Sequence, residues 1–210
     1  MYFDRRGLML VVSSPSGAGK TTLVKKLLST DKNIVPSISV TTRPVRPGER
    51  DGKDYYFVSP DTYQGMIDKK QLLEHAIVHE NGYGTPKTFV EDALSSGKDV
   101  IFDIDWQGAQ QLRHSVSQDL VTVFILPPSG EELRRRLEGR ATDKKDVVEK
   151  RLQKASSEIS HWGEYDYILI NDDSERCSND LRNILGAERL KRRRQTDITG
   201  FVRHLNETIK

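Results

Sequence analysis

Three observations predict an α/β fold built on a parallel sheet flanked by helices. The apolar run Leu8-Met9-Leu10-Val11-Val12 has the length and uniform hydrophobicity of a strand buried on both faces. The glycine-rich turn Ser13-Ser14-Pro15-Ser16-Gly17-Ala18-Gly19-Lys20-Thr21-Thr22 follows at once and opens an amphipathic stretch around Leu23, Val24, Leu27 and Leu28. Further strand-sized apolar runs, Asp99 to Asp105, Leu120 to Leu126 and Asp166 to Ile170, alternate with helical patterns, as strand-helix-strand units require.

The turn between the first strand and helix is where chemistry is expected. Gly17 and Gly19 allow successive N–H groups to curl round an anion, and the helix N-terminus adds partial positive charge. Lys20 can reach outer phosphates and the Thr21 hydroxyl can ligate Mg²⁺. The pattern G-x-x-x-x-G-K-[ST] is matched except at its first position, where Ser14 stands for glycine. Residues 14 to 22 (Ser14, Pro15, Ser16, Gly17, Ala18, Gly19, Lys20, Thr21, Thr22) are therefore the candidate polyphosphate site.

Composition bounds the rest. With 210 residues, 35% hydrophobic and 30% charged, the chain can bury a proper core as one unit with room for inserted subdomains. The longest apolar stretches are strand-sized, so no membrane partner is expected, and residues 1 to 6 lack the apolar segment of a secretion signal. Cys177 is the single cysteine, which excludes an intrachain disulfide and fits a reducing cytoplasm. A net charge of +2 argues against general nucleic-acid coating, while leaving local arginine clusters free to meet a phosphorylated substrate.

Taken in order, the first helix should end near Leu28-Ser29, and Asp31-Lys32-Asn33 should turn into an apolar segment from Ile34 to Val40. Ser39 to Glu49 holds Pro44, Pro47 and Gly48 and cannot be helical. Arg43 and Arg46 flank its proline turn and could converge on one phosphate, or be two solvated arginines. Asp51 to Val58 reads as a turn and a strand, Ser59-Pro60-Asp61 as the cap of a helix from Thr62 to Lys69, and Asn81-Gly82 as the turn of a hairpin ending near Pro86. Residues 37 to 93 thus form a small strand-rich insertion. A helix over Thr88 to Ser95 stops at Gly97. The following strand ends in Asp103 and Asp105, with Asp103 able to hold a Mg²⁺ shell, although strand-end acids also serve as caps.

Ser129 should cap a helix through Leu133 and Leu137, in a base-rich segment holding Arg134, Arg135, Arg136, Arg140, Lys144, Lys145, Lys150 and Arg151. Much of that charge must be solvated helix face, yet arginines on a two-helix flap suit closure over transferring phosphates. Asn171-Asp172-Asp173 follows the last strand, at the sheet edge where open α/β folds bind ligands. From Ser178 onward the pattern is helical, and Arg189 with Lys191 to Arg194 looks like a nucleic-acid or membrane patch, although so short a run on a chain of net charge +2 is more often the solvated face of a helix.

The assembled motifs resemble the guanylate kinase family. The resemblance rests on Ser-Pro-Ser-Gly-Ala-Gly-Lys-Thr-Thr at 14 to 22, Ser-Val-Thr-Thr-Arg-Pro-Val-Arg-Pro-Gly-Glu at 39 to 49 and Asp-Gly-Lys-Asp-Tyr-Tyr-Phe-Val at 51 to 58. It continues in Leu-Leu-Glu-His-Ala at 72 to 76, Tyr-Gly-Thr at 83 to 85, Asp-Ile-Asp-Trp-Gln-Gly at 103 to 108, Arg-Arg-Leu-Glu-Gly-Arg at 135 to 140 and Ile-Asn-Asp-Asp at 170 to 173. It covers about residues 7 to 185 and leaves the basic tail outside.

The resemblance implies a P-loop NTPase-type fold divided into core (1–36, 94–127 and 161–210), a GMP-binding insertion (37–93) and a helical lid (128–160). It implies ATP at the phosphate loop with Asn171 near the adenine. Arg43, Arg46, Tyr55 and Tyr83 are implied to hold the GMP phosphate, and Ser39, Glu74 and Thr85 to read guanine, with Gly84, Asp103 and Asp105 also on the GMP side. Arg136, Arg140 and Arg151 are implied to clamp the transferring phosphoryl group beside Lys20 and Arg43, with Mg²⁺ at Thr21 and, through water, Asp103. A carboxylate at 74 suits guanine, which offers N1–H and an exocyclic amine, and repels the unprotonated N1 of adenine. Three rivals are weaker. A catalytically silent guanylate-kinase-like module, which uses the GMP cleft to bind proteins, lacks an intact phosphate loop, whereas Lys20 and Thr21 are present here along with the lid arginines. Asp105-Trp106-Gln107-Gly108 fits the D-x-x-G pattern of GTPases, but no Asn-Lys-x-Asp run accompanies it. His75 and His79 lie four apart beside Glu74 and Glu80 but lack a third metal ligand with convincing spacing.

Overall fold

The structure, a computed structural model, describes residues 4–78, 80–115, 118–139 and 145–209. Its larger sheet has five parallel strands. β1 (Met9–Ser13) lies between β7 (Asp99–Phe102) and β8 (Leu120–Leu126), with β2 (Ile34–Pro36) outside β7 and β9 (Tyr167–Ile170) outside β8. Alternation along β1 feeds two cores, because successive side chains point to opposite faces of a strand. Leu8, Leu10 and Val12 join Leu23, Val24 and Leu27 of α1 (Lys20–Thr30) and Cys177, Leu181 and Leu185 of α7 (Ser174–Arg189). Met9 and Val11 join Val90 and Leu94 of α3 (Lys87–Ser95) and Ala109 and Leu112 of α4 (Trp106–Ser115). Helices thus cover both faces, which is what an all-parallel sheet requires.

A second sheet of four strands runs β4 (Tyr56–Phe57), β3 (Val40–Thr41), β6 (Asn81–Pro86), β5 (Leu72–Val78). Its core is thin: Val40, Tyr63 and Leu72, with Tyr56, Val58, Met66 and Ile67 packed against them. Tyr63 belongs to α2 (Pro60–Asp68), which Ser59 caps by accepting from the Thr62 N–H at 3.1 Å. The two helices α5 (Gly130–Glu138) and α6 (Lys145–Ile159) pack on each other through Leu133, Leu137, Val148, Leu152 and Ala155.

Several sequence expectations need correction. The apolar segment 34–40 is two strands in two sheets, since β2 ends at Pro36 and β3 begins at Val40. The hairpin exists, but Val78 pairs with Asn81 and Ile77 with Gly82, so both residues of the Asn-Gly signal lie in β6 and Glu80 takes the left-handed turn conformation at φ 65°. Gly82 is required for another reason: a Cβ there would lie 2.5 Å from the Tyr63 ring. The Asp99–Asp105 strand stops at Phe102, and α4 follows, a helix that the sequence pattern does not predict.

The basic C-terminal helix is also corrected. α7 ends at Arg189, residues Arg192–Arg194 form a 3-10 turn, and α8 (Ile198–Thr208) is separate. Lys191, Arg192 and Arg193 are exposed as expected, but Arg194 is 1% exposed, and its guanidinium donates to the carbonyls of Glu188 at 3.0 Å and Gly7 at 3.3 Å, beside Asp119 at 3.4 Å. Arg189 pairs with Asp31 and with Asp99, a fully buried carboxylate also held by Arg5. Acids far away in sequence draw these arginines inward, because a buried carboxylate must be paired.

Candidate active site

The phosphate loop lies between β1 and α1 at the carboxyl ends of the parallel strands. Gly17 and Gly19 have φ of 94° and 99°, the left-handed region that side chains disfavour. The N-cap of α1 is Gly19, which has no side chain to cap the helix; the N–H groups of Thr22 and Leu23 donate to the Gly19 carbonyl at 3.1 and 3.2 Å. A cavity of about 330 Å³ opens there, lined by Ser14, Pro15, Ser16, Gly17, Gly19, Lys20, Thr21, Thr22, Asp103, Ile104, Asp105 and Glu158. Lys20 forms an ion pair with Asp103 across it.

The loop is fixed from behind. The Asn171 amide donates to the Ala18 carbonyl at 2.6 Å, and a Cβ on Gly19 would come within 2.3 Å of it. Arg136 donates to Glu132 at 2.7 Å, to the Asn171 carbonyl at 3.0 Å and more weakly to the Ala18 carbonyl at 3.4 Å. Leu133 and Leu137 press on Gly17 so closely that a Cβ there would lie 3.0 Å from Leu133. In this conformation Asn171 is buried, and one of its amide N–H groups props the loop. Glu158, which the sequence does not single out, accepts from the Ser16 N–H at 3.3 Å. No local pattern in the sequence signals that contact. Arg151 is half-buried on α6, and Arg140 lies outside the described residues.

The second sheet carries the other candidate residues. Glu74 on β5 is 5% exposed and accepts from the hydroxyl of Thr85, itself fully buried on β6, at 2.7 Å. Burial pushes the Glu74 carboxyl above the usual range, the Asp105 charge adds to this, and the Thr85 hydrogen bond opposes it. Neighbouring Gly84 leaves no room for a side chain, since a Cβ there would meet Leu72 at 2.7 Å. Arg43 grips Glu49 at 2.8 Å and donates to the Pro44 carbonyl at 2.7 Å, with its guanidinium 5.4 Å from the centre of the Tyr55 ring. Tyr55 meets Tyr83 edge-on at 6.0 Å, and burial raises its phenol pKa.

Arg46 is exposed; its backbone N–H donates to the same Glu49 at 2.9 Å, so this carboxylate, not a shared anion, links the two arginines here. Ser39 is half-buried and its carbonyl accepts from the Tyr56 N–H. Asp103 is exposed beside Lys20, whereas Asp105 caps α4 by accepting from the N–H groups of Gln107 at 3.0 Å and Gly108 at 3.2 Å. His75 is exposed on β5 and His79 lies outside the described residues; among the described residues no three His, Cys, Asp or Glu side chains are grouped to hold a metal.

A phosphate loop and a buried carboxylate–threonine pair in one chain invite comparison with known proteins. The family model described as Guanylate kinase matches residues 6–188. The chain belongs to the guanylate kinase family. A guanylate kinase of Zymomonas mobilis is 57% identical over 201 residues, covering 96% of this chain and 93% of that protein. One of Novosphingobium aromaticivorans is 56% identical over 201 residues, covering 96% and 91%. Among solved structures, the guanylate kinase from Anaplasma phagocytophilum superposes with a TM-score of 0.73 at 40% identity, covering 94% of each chain. The guanylate kinase match extends to residue 188, so the arginine-rich turn after Arg189 falls outside it.

Proposed function

We propose that this chain transfers the γ-phosphoryl group of ATP to GMP, giving ADP and GDP, with dGMP as a second acceptor because the assigned roles fall on guanine and phosphate rather than ribose. The observation that supports this reading most is the buried Glu74–Thr85 pair in a chain that also carries a left-handed glycine loop at the N-terminus of α1. Guanine would donate N1–H and its exocyclic amine to Glu74. Adenine would leave that buried carboxylate unpaired, which is the costly kind of mismatch.

The phosphate of GMP is already ionised, so in-line attack needs positioning and charge neutralisation more than a strong base. ATP phosphates would displace Asp103 from Lys20 and lie on the N–H groups of residues 17 to 21. The GMP phosphate would draw Arg43 away from Glu49 and meet Arg46, Tyr55 and Tyr83. Arg136 stands beside the loop, with Arg140 and Arg151 assigned to the same lid. Closure of lid and second sheet would exclude water and favour transfer over hydrolysis. The donors fit Mg²⁺, a hard cation that prefers oxygen: the Thr21 hydroxyl and, through water, the Asp103 carboxylate would hold it. When bound, the ion neutralises charge on the phosphate oxygens. Among the described residues no helix is long and apolar enough to cross a membrane. We assign the reaction to the cytoplasm because a single cysteine suits a reducing compartment.

A coupled ADP-release assay with ATP and Mg²⁺, offering GMP, AMP, CMP and UMP separately, tests the proposal. Turnover with GMP and not the others is expected; folded protein silent with all four would overturn it.

A further inference from the structure

Glu74 occupies a weakly supported stretch of strand. The β5–β6 register shifts between Leu72, opposite Pro86, and His75, opposite Gly84, so Leu73 and Glu74 sit at an irregularity of the ladder. β5 is also the outer strand of its sheet, with no further strand beyond it among the described residues. On that open side lies α4, across a hollow of about 690 Å³ lined in part by Leu73, His75, Gln107 and Gln111.

Gln111 bridges the gap. Its amide oxygen accepts from the His75 N–H at 3.0 Å and its amide nitrogen donates to the His75 carbonyl at 2.9 Å. A primary amide used in this way presents one donor and one acceptor, the pair that a neighbouring peptide would present to an edge strand. One neighbour of Glu74, His75, is therefore tied to a helix of the larger core through both of its backbone groups, while the Ser115 hydroxyl one turn further along α4 donates to the Gln111 carbonyl of its own helix at 2.9 Å. The same helix brings Gly108 against the carboxylate, where a Cβ would lie 3.5 Å from Glu74 Oε2.

We infer that Gln111 is a positioning residue for base recognition: its double hydrogen bond to His75 replaces the missing ladder and fixes the direction in which Glu74 presents its carboxylate. The inference rests on the proposed role of Glu74 in reading guanine. Gln111 touches no substrate, and its effect should appear in the acceptor half of the reaction alone.

The test compares Gln111→Ala and Gln111→Glu with Glu74→Gln, measuring KM for GMP and for ATP, the ratio of kcat/KM for GMP over IMP, and the melting temperature. IMP keeps N1–H but lacks the 2-amino group, so the ratio reports whether the second carboxylate oxygen is correctly aimed. Gln111→Glu keeps the volume of the side chain but removes the donor to the His75 carbonyl. Two hydrogen bonds of ordinary net strength correspond to about tenfold in affinity. Gln111→Ala should raise the KM for GMP by about that factor and Gln111→Glu, which still accepts from the His75 N–H, by a smaller one; both should leave the KM for ATP in place and move the GMP-to-IMP ratio toward that of Glu74→Gln. A lowered melting temperature with the wild-type ratio in both variants would overturn the inference, leaving Gln111 a packing residue. A wild-type ratio in Glu74→Gln would show instead that the base is read elsewhere, and the inference would fall with that reading.

Discussion

The loop assigned to phosphate and the cleft assigned to guanine are built on opposite principles. The loop works through backbone N–H groups presented by two left-handed glycines at the N-terminus of α1, on a central strand whose every residue is buried. The cleft works through side chains, Glu74 and Thr85 with Arg43, Tyr55 and Tyr83, on a sheet with a thin core and an irregular register. Phosphate is recognised by charge and is common to many ligands, so a rigid backbone cradle suffices. A base is told from its rivals by which hydrogen bonds remain unmade, and that requires a desolvated, correctly aimed carboxylate. Rigidity is therefore concentrated where chemistry is generic, and the specific part is held by a few hydrogen bonds.

Lys20→Ala should break the comparison most severely on the loop side. Loss of the cation that meets the outer phosphates is expected to lower kcat by about 10³ or more, while the melting curve stays within a few degrees of wild type. A variant with near-normal turnover would refute the ATP assignment. Glu74→Gln acts on the other side. It should cut kcat/KM for GMP by about 10², judged by steady-state kinetics, with ATP binding unaltered.

The same substitution sharpens the contrast through pH. Burial favours the neutral Glu74 carboxyl in the folded state, so the fold binds that proton more tightly than the unfolded chain does. The stability associated with it is present at low pH and lost as pH rises from the ordinary carboxylate pKa through the raised one. Glu74→Gln should therefore melt higher than wild type at pH 7 and lose that advantage near pH 4. Activity runs the opposite way, since guanine needs the ionised form: wild-type kcat/KM for GMP should fall with acid before an ordinary carboxylate would titrate, and the variant should lack that limb. The smallest effect on activity belongs to Arg194→Met, remote from both sites. Removing one partner from a buried ion cluster should cost about 3 kcal/mol of stability, read by denaturant unfolding, with kcat changed less than twofold.

How far the chain can be read in advance follows the same division. The phosphate loop, the buried strands and the α2 cap are legible because each depends on neighbours within a few residues. α4 is not, because its polar sequence hides a narrow buried face of Gly108, Ala109 and Leu112; Asp105, which resemblance places on the GMP side, is in part its cap. Arg189 and Arg194 look solvated in sequence because their partners Asp31, Asp99 and Asp119 lie 75 or more positions away. Resemblance places Asn171 near adenine, while its contact with Ala18 spans 153 positions and has no local mark.

Arg194 meets Gly7 across 187 positions of sequence, the Arg6 N–H donates to the Arg194 carbonyl, and Thr196 donates to Asp4. During synthesis the segment leading into β1 leaves the ribosome long before these partners, which follow almost two hundred residues later. Closing so long a loop costs conformational entropy that only the assembled sheet can offset, so this seam is completed after translation has passed residue 196.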